Sequence, residues 1–535
     1  MRKMVRTAAL AAASAAAPTQ AAWAQDGIPS ERRAPVYAPT PPPVADPATA
    51  ARPATLPVAS LRDAILLAYA GNPELLAQRA ELRATDQQLP AARSAYGPTL
   101  DFQGAQGFQR DTQELLPNRF VRRDGFANNV ALIFNQPIFT FGRLRSRENI
   151  ARAQIALGRD SLRLQEAQTL LDVVTAYVSV QRDVQSVRIA QENLDLLGRQ
   201  YRDSAERFRV REITSTDLQQ IETRVEVGRA QLAESQGRLG ASRAQFLNAV
   251  GAPPAGELAA PDPLPVGAPT LEQAYRYAEV NSPVVRAAQA REKISRAQID
   301  QARADTGPNL GLRASGNYGT VTPYSSDLRT TSVSASVTLS QPLIDSGLRS
   351  ANIRAAREAN EADWRLIDQA LRDARQGVGA AWSQLAAAAV SVENYTRAED
   401  AARRAYEGAL EQEKAGARTT LDVLDLLRDL LNVRLNRINA EANVYVARAN
   451  LLASMGRLEG PLLVPGIRPY DPLENFERVR NKGDIPLLTD AVSALDRSFT
   501  RGIDADRPIR DPAGPLRSEE QIIKAEPALP VLTRR

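Results

Sequence analysis

The sequence predicts a mainly α protein with a minority of β-strands, built as two structural repeats and completed only when several chains share one sheet. Three observations predict this. Motifs of the first half return in the same order in the second, two pairs of very long helical stretches with few breakers dominate the chain, and each repeat carries one hairpin of strands with an apolar and a polar side.

The chain opens with Arg2, Lys3 and Arg6, an Ala-rich apolar stretch through Ala17, and Ala22-Trp23-Ala24 before Gln25. This has the form of a secretory signal peptide over residues 1–24 with a small-x-small cleavage site. No cysteine follows the site, so a lipid anchor is excluded. Residues 25–58 are rich in Pro and Ala, include Pro41-Pro42-Pro43 and lack an apolar period, which predicts an extended or flexible arm.

The first repeat spans residues 59–251. Ser60-Leu61-Arg62-Asp63 is a capping box that opens a short helix, and Asn72-Pro73 closes it and starts a second one running to the Tyr96-Gly97-Pro98 turn. After a linker at 252–268, the second repeat (269–456) begins again with a capping box at Thr270-Leu271-Glu272-Gln273. Asn281-Ser282-Pro283 then answers Gly71-Asn72-Pro73, and Gly307-Pro308 answers Gly97-Pro98. The chain is an internal duplication.

After each Gly-Pro the apolar period changes from helical to alternating. Leu100, Phe102, Gly104 and Phe108 share one side opposite Asp101, Gln103 and Gln109, and Leu310, Leu312, Ala314 and Tyr318 oppose Arg313, Ser315 and Asn317. Return strands follow through Val130, Leu132 and Phe134, and through Val333, Ala335, Val337 and Leu339. The hairpins are therefore placed at 100–136 and 309–341, each ending in Gln-Pro, where proline stops the ladder. Four strands are too few for a sandwich, and membrane barrels begin at about eight strands. An open edge cannot exist in lipid, so if the apolar side meets lipid several chains must share one barrel.

Long helices are predicted at 142–211 and 347–415, each reaching roughly 100 Å at 1.5 Å per residue, with partner helices at 216–250 and 420–455. Leu424, Leu427, Leu431, Leu435 and Ile438 begin a seam of 3-and-4 spacing. Alanine is abundant and aromatics make up only 5 % of the chain, which predicts helices packed closely on small side chains. Gly251 and Gly456 stop the two runs. Residues 457–535 are rich in Pro, Gly and charge, with a weak helical signal from Leu487 to Leu495, and are expected to form a partly ordered wrap followed by disorder.

The composition narrows the chemistry. Cys and His are both absent, which excludes disulfides, thiol chemistry, histidine base catalysis and the usual zinc sites. A hydrolase using carboxylates alone passes this filter, but neither a phosphate-binding Gly loop nor a nucleophile elbow is present, and no catalytic role or cofactor is expected. The net charge is +5 with a pI near 9.4. Arg alternates with Glu and Asp along the helices, and no basic block with interleaved aromatics points to nucleic acid.

Two helical turns stand out as candidate sites. In Ala415-Gly416-Ala417-Arg418-Thr419-Thr420-Leu421-Asp422, Gly416 lets the backbone reverse and Thr419 with Asp422 fits a capping box. Asp425 shares a helix face with Asp422. Asp422 is then either a cap beside a solvated Asp425 or one of two carboxylates with a common task. The earlier turn, Ile213-Thr214-Ser215-Thr216-Asp217-Leu218, offers the same choice for Asp217, which can cap from Thr214.

In the order, spacing and duplication of the Gly-Pro starts, the Gln-Pro-to-Gly strand exits and these two turns, the chain resembles the TolC family of outer-membrane exit ducts over roughly Ser60 to Leu458. The resemblance implies a homotrimer whose twelve strands form one barrel in outer-membrane lipid and continue into a periplasmic tunnel of twelve helices. It implies as partners a periplasmic adaptor (membrane fusion protein) and an inner-membrane transporter, either ATP-driven of the ABC type or proton-driven of the RND type. The role implied is a conduit for protein secretion or for drug efflux, without a reaction of its own. Asp422 and Asp425 match the ring at the tunnel aperture, which in a trimer implies six carboxylates around one axis, a site able to attract cations. Arg418 matches the basic member of a clasp between coils, with Thr216 and Asp217 as its partners and Glu413 where the family has tyrosine. Val210-Arg211-Glu212 and Ala415-Gly416-Ala417 match the adaptor-docking tips, with Arg211 where glycine is usual. The rival reading is a soluble periplasmic coiled-coil scaffold, which leaves the four symmetric strands unexplained.

Overall fold

A computed structural model describes residues 57–498 apart from 266, 267, 323 and 324. The signal peptide and the arm up to residue 56 lie outside the described residues, as does the tail beyond 498. The first repeat comprises α1 (Leu61–Gly71), α2 (Pro73–Asp86), α3 (Gln88–Ser94), β1 (Thr99–Leu116), β2 (Arg119–Phe139), α4 (Arg143–Arg209) and α5 (Ser215–Val250). The second comprises α6 (Leu271–Asn281), α7 (Pro283–Ala304), β3 (Asn309–Thr322), β4 (Ser325–Ser340), α8 (Leu348–Lys414) and α9 (Thr420–Ser454). Three short helices follow, α10 (Gly460–Leu463), α11 (Pro472–Val479) and α12 (Leu488–Ser498).

Local chemistry sets most boundaries. Ser60 Oγ accepts from Asp63 N at 3.1 Å, Asn72 Oδ1 accepts from the Glu74 and Leu75 amides, and Thr270 Oγ1 accepts from Gln273 N. The second helix of the first repeat is not continuous as expected from the sequence. It breaks at Gln87 into α2 and α3, because Pro90 has no N–H to offer the Asp86 carbonyl. Its counterpart α7 has no internal proline and runs unbroken over 22 residues.

The four strands form one antiparallel sheet in the order β1-β2-β3-β4. The register keeps the apolar residues together, since Phe102 lies opposite Leu132, Leu132 opposite Gly316 and Gly316 opposite Val333. On the other side Arg313, Ser315 and Asn317 meet Ser336, Ser334 and Ser332, with Ser315 and Ser334 hydroxyls 2.9 Å apart. The apolar side is uncovered within one chain, with Phe102 70 % and Val333 83 % exposed. The expected stop at Gln-Pro holds for β4, which ends at Ser340, but β2 passes Gln136-Pro137 to Phe139. A register shift between Pro137 and Phe139 absorbs the missing donor, and β3 continues to pair beyond it. Among the described residues, no helix is long and apolar enough to cross a membrane.

The long helices pair as α4 with α5 and α8 with α9, and α7 packs between α4 and α8. Their core is built from small and medium side chains around a few large ones, among them Tyr177, Phe246, Trp382 and Met455. Each such large side chain contributes about 1.5–3 kcal/mol by leaving water. Tyr177 Oη lies 2.7 Å from the Ala259 carbonyl and 3.0 Å from that of Ala59, so it ties the inter-repeat linker and the chain before α1 to α4. Burial pushes its pKa up to about 12. Between α8 and α9 the buried Glu399 meets Arg403, Arg434 and Arg437.

The segment after α9 returns along the first repeat, where α11 packs on α2, and α12 on β2 and α4. There Asp496, 1 % exposed, accepts from the Thr140 and Gly142 amides at 2.9 and 3.1 Å and thereby caps the turn from β2 into α4. The equivalent turn of the second repeat caps itself, Asp345 accepting from the Gly347 and Arg349 amides. Asp496→Ala leaves two buried amides without their acceptor and costs about 1–3 kcal/mol locally. Amide hydrogen exchange is expected to accelerate at Thr140, Gly142 and Leu144 and to stay unchanged at Gly347 and Arg349.

Candidate functional site

The two turns at the far ends of the long helices are close copies. After α4, Arg211 N donates to Phe208 O and Glu212 N to Arg207 O, both at 2.9 Å; after α8, Gly416 N donates to Glu413 O and Ala417 N to Gln412 O, also at 2.9 Å. This closure needs one residue in the left-handed region, and Arg211 (φ 67°) and Gly416 (φ 72°) supply it. Arginine pays a steric cost there that glycine does not. Val210, Arg211, Glu212, Ala415, Gly416 and Ala417 are all exposed, so both tips are free surfaces in one chain.

Both following helices open with a complete capping box. Thr214 Oγ1 accepts from Asp217 N at 3.2 Å while Asp217 Oδ2 accepts from Thr214 N, and Thr419 and Asp422 make the same exchange at 3.2 and 3.3 Å. The Thr214 hydroxyl, followed by its amide, holds the Asp217 carboxyl below the usual carboxylate range. Asp217 and Asp422 thus act as caps in each chain, with Asp422 exposed and one of its carboxylate oxygens engaged.

Asp425 has a different partner. Its Oδ1 accepts from Arg224 Nη2 of α5 at 2.8 Å, and Arg428 Nη1 lies 3.5 Å away. This pair links the two coils of one chain beside a cavity of about 260 Å³ lined by residues of α4, α5 and α9, including Asn193, Arg224 and Leu427. Arg224 sits between Ile221 and Val225, both buried, and that cation within an apolar seam was the one sequence signal for it.

The clasp residues are not joined within one chain. Glu413 accepts from Thr420 Oγ1 at 2.7 Å and Gln200 Nε2 at 3.4 Å, with Arg207 Nη1 at 3.8 Å. Its charge is met by α4 and by the start of α9. Among the described residues Arg418 has no hydrogen-bond or ion-pair partner, and it and Thr216 are exposed. Among the described residues no group of three or more acidic side chains is placed to hold a metal ion, and Asp422 and Asp425 supply two carboxylates per chain.

Residues 64–252 and 274–457, the two repeats, match the family described as outer membrane efflux protein. The chain is 30 % identical over 431 residues to the outer membrane efflux protein BepC of Brucella suis, covering 79 % of this chain and 91 % of that protein. It is 26 % identical over 420 residues to the alkaline protease secretion protein AprF of Pseudomonas aeruginosa, covering 75 % and 85 %. The Campylobacter jejuni CmeC outer membrane channel has the same fold, with a TM-score of 0.64 at 15 % identity over 79 % of this chain and 90 % of that one.

Two outcomes follow from the turns. Arg211→Gly relieves the left-handed arginine and slows hydrogen exchange at Arg211 and Glu212 by about 1 kcal/mol, whereas Gly416→Ala speeds exchange at Gly416 and Ala417 by a similar amount. Because the folded-state pKa of Asp217 is depressed, its contribution is full above the ordinary carboxylate pKa and is lost as pH falls through the lower folded value. The protection of the Thr214 and Asp217 amides, taken relative to their intrinsic exchange rates, should therefore be constant across neutral pH and fall only in acid below the usual carboxylate range.

Proposed function

This chain belongs to the outer membrane efflux protein family, and we propose that three copies of it close one twelve-stranded barrel above a tunnel of twelve helices. It is an outer-membrane channel with a periplasmic portion, the exit duct of a tripartite export system. The observation that carries the shared barrel is the sheet itself, whose apolar side is bare and whose β1 and β4 edges each lack a second partner among the described residues. Lipid tolerates neither an open edge nor an unsatisfied backbone group, and closure by further copies removes both.

In this reading the helical turns form the inner end of the tunnel. Asp422 and Asp425 ring the aperture, and Arg418, Thr216 and Asp217 form the clasp between neighbouring coils. The tips at Val210-Arg211-Glu212 and Ala415-Gly416-Ala417 meet a periplasmic adaptor that joins the duct to an inner-membrane transporter of the ABC or RND type. The free Arg418 and the exposed tips support contacts made only in the assembly. The cargo is protein, small toxic molecules or both, in keeping with one relative named for protease secretion and another for efflux.

Arg224 modifies the expected aperture. It neutralises Asp425 in each chain, so Asp422 supplies most of the unpaired negative charge at the ring. An ion pair this exposed contributes about 0.2–1 kcal/mol, which suits a contact that must break when the aperture widens.

Single-channel currents in planar bilayers test the aperture. The unaltered duct is expected to pass a small, cation-selective current that millimolar divalent ions reduce. Asp422→Ala with Asp425→Ala abolishes the selectivity and the divalent effect, and Arg224→Ala raises conductance several-fold with selectivity kept. Unchanged conductance and selectivity in the double aspartate variant would sink this assignment.

A further inference from the structure

Within one chain, the end of the first repeat packs on the start of the second. β2 pairs with β3 from Asn129 opposite Gly319 to Phe139 opposite Leu310. Phe141 then lies on Gly307 so closely that a Cβ there would stand 2.1 Å from the ring's Cδ1. The second repeat ends alike, with φ of 52° and 88° at Ser346-Gly347 against 52° and 84° at Phe141-Gly142. Among the described residues nothing covers that second end, where Leu343, Ile344 and Leu348 are 86 %, 92 % and 64 % exposed.

The internal symmetry says what covers it. The shifts that carry Gly142 onto Gly347 and Gly97 onto Gly307 also carry the pair Thr99–Asn135 onto Asn309–Ser340, and both pairs occur in the sheet. Applied to the β2–β3 seam, the same shifts set β4 of one copy against β1 of a second, with Val337 opposite Gln106, Ala335 opposite Phe108 and Ile344 opposite Leu100. The apolar side then stays continuous across the seam, since the apolar alternate positions of both strands fall in phase. In that arrangement Ile344 of the one copy would cover Leu100 of the other, which is 67 % exposed in one chain.

One position departs from the symmetry. Ser346 stands where the first repeat has Phe141, so no ring reaches Gly97 of the second copy. The space over Gly97 is filled from the tail, where Ile485 Cδ1 would be 3.2 Å from a Cβ at that position. The tail is fixed there by Asp484 with Arg93 at 2.8 Å, by Ile485 N donating to Thr489 Oγ1 at 2.9 Å and by Asp496 at the β2–α4 turn. Ile485 keeps 42 % of its surface exposed and the adjacent Leu487 86 %. We infer that tail residues 483–496 complete the seam between copies of this chain, with Ile485 taking on Gly97 the place that Phe141 takes on Gly307, against the Leu343–Leu348 turn of the neighbouring copy. The inference rests on the shared barrel proposed above.

The absence of cysteine makes the full-length chain a clean background for paired cysteines. Ser346→Cys with Ile485→Cys reports on the tail, and Val337→Cys with Gln106→Cys on the strand register. Both pairs are made in outer membranes, oxidised and read on non-reducing gels beside the oligomer mass of the unoxidised duct. The seam predicts covalent oligomers from both pairs. Cross-linking by the strand pair alone overturns the role of the tail and leaves the barrel, and cross-linking by neither in an oligomeric duct overturns the seam register as well. A monomeric mass overturns the shared barrel itself. A second variant set guards against misfolding: Ser346→Phe alone is expected to lose the detergent-resistant oligomer, and Ser346→Phe with Ile485→Ala to regain it. Equal oligomer yield from both would contradict the substitution of Ile485 for the ring.

Discussion

The structure depends on one constraint, that every backbone donor and acceptor of a strand in hydrocarbon must have a partner. Among the described residues one chain does not meet it, since its four strands leave two edges open and an apolar side without cover. In the proposed assembly several copies meet that demand together. The duplication places two hairpins in one sheet, and the same duplication lets the outer edges of neighbouring sheets match. The long helices of one chain are packed on small and medium side chains around a few large ones.

Duplication gives symmetry, but the two halves are not equal in detail. The β4–α8 turn caps itself with Asp345, while the β2–α4 turn borrows Asp496 from a helix more than three hundred positions away in sequence. At the opposite ends of the helices both turns keep the capping box, yet one uses glycine and the other arginine at the left-handed position. Asp425 is tied to Arg224, whereas the matching face of α5 carries Gln220 in place of a carboxylate. At the strand-to-helix turns the departure is matched by a contact specific to each half, Asp496 in the first and Asp345 in the second.

Local patterns made much of this legible in the sequence. The alternation of Leu100 and Phe102 with Asp101 and Gln103, the capping boxes at Thr214 and Thr419, and the repeated Gly-Pro and Gln-Pro pairs each encode their geometry within a few residues. The break at Gln87 was also encoded locally, by Pro90, but was masked by the helical period on either side. The helical signal at Leu487 to Leu495 is answered by α12. What was not legible depends on partners remote in sequence: the Arg224–Asp425 pair, Glu413 held by Gln200 and Arg207, α11, and the surfaces on α2, β2 and α4 against which α11 and α12 pack. Short helices with weak periodicity acquire their stability from such tertiary contacts.

The claim on which the rest stands is that the sheets of three copies close on one another. The direct measurement is the mass of the mature protein extracted from outer membranes in detergent, by native mass spectrometry across a dilution series. The account predicts three copies per particle at every dilution that preserves the fold. A stable monomer or dimer with its strand amides protected from hydrogen exchange would contradict it, because those edges would then be satisfied without further copies.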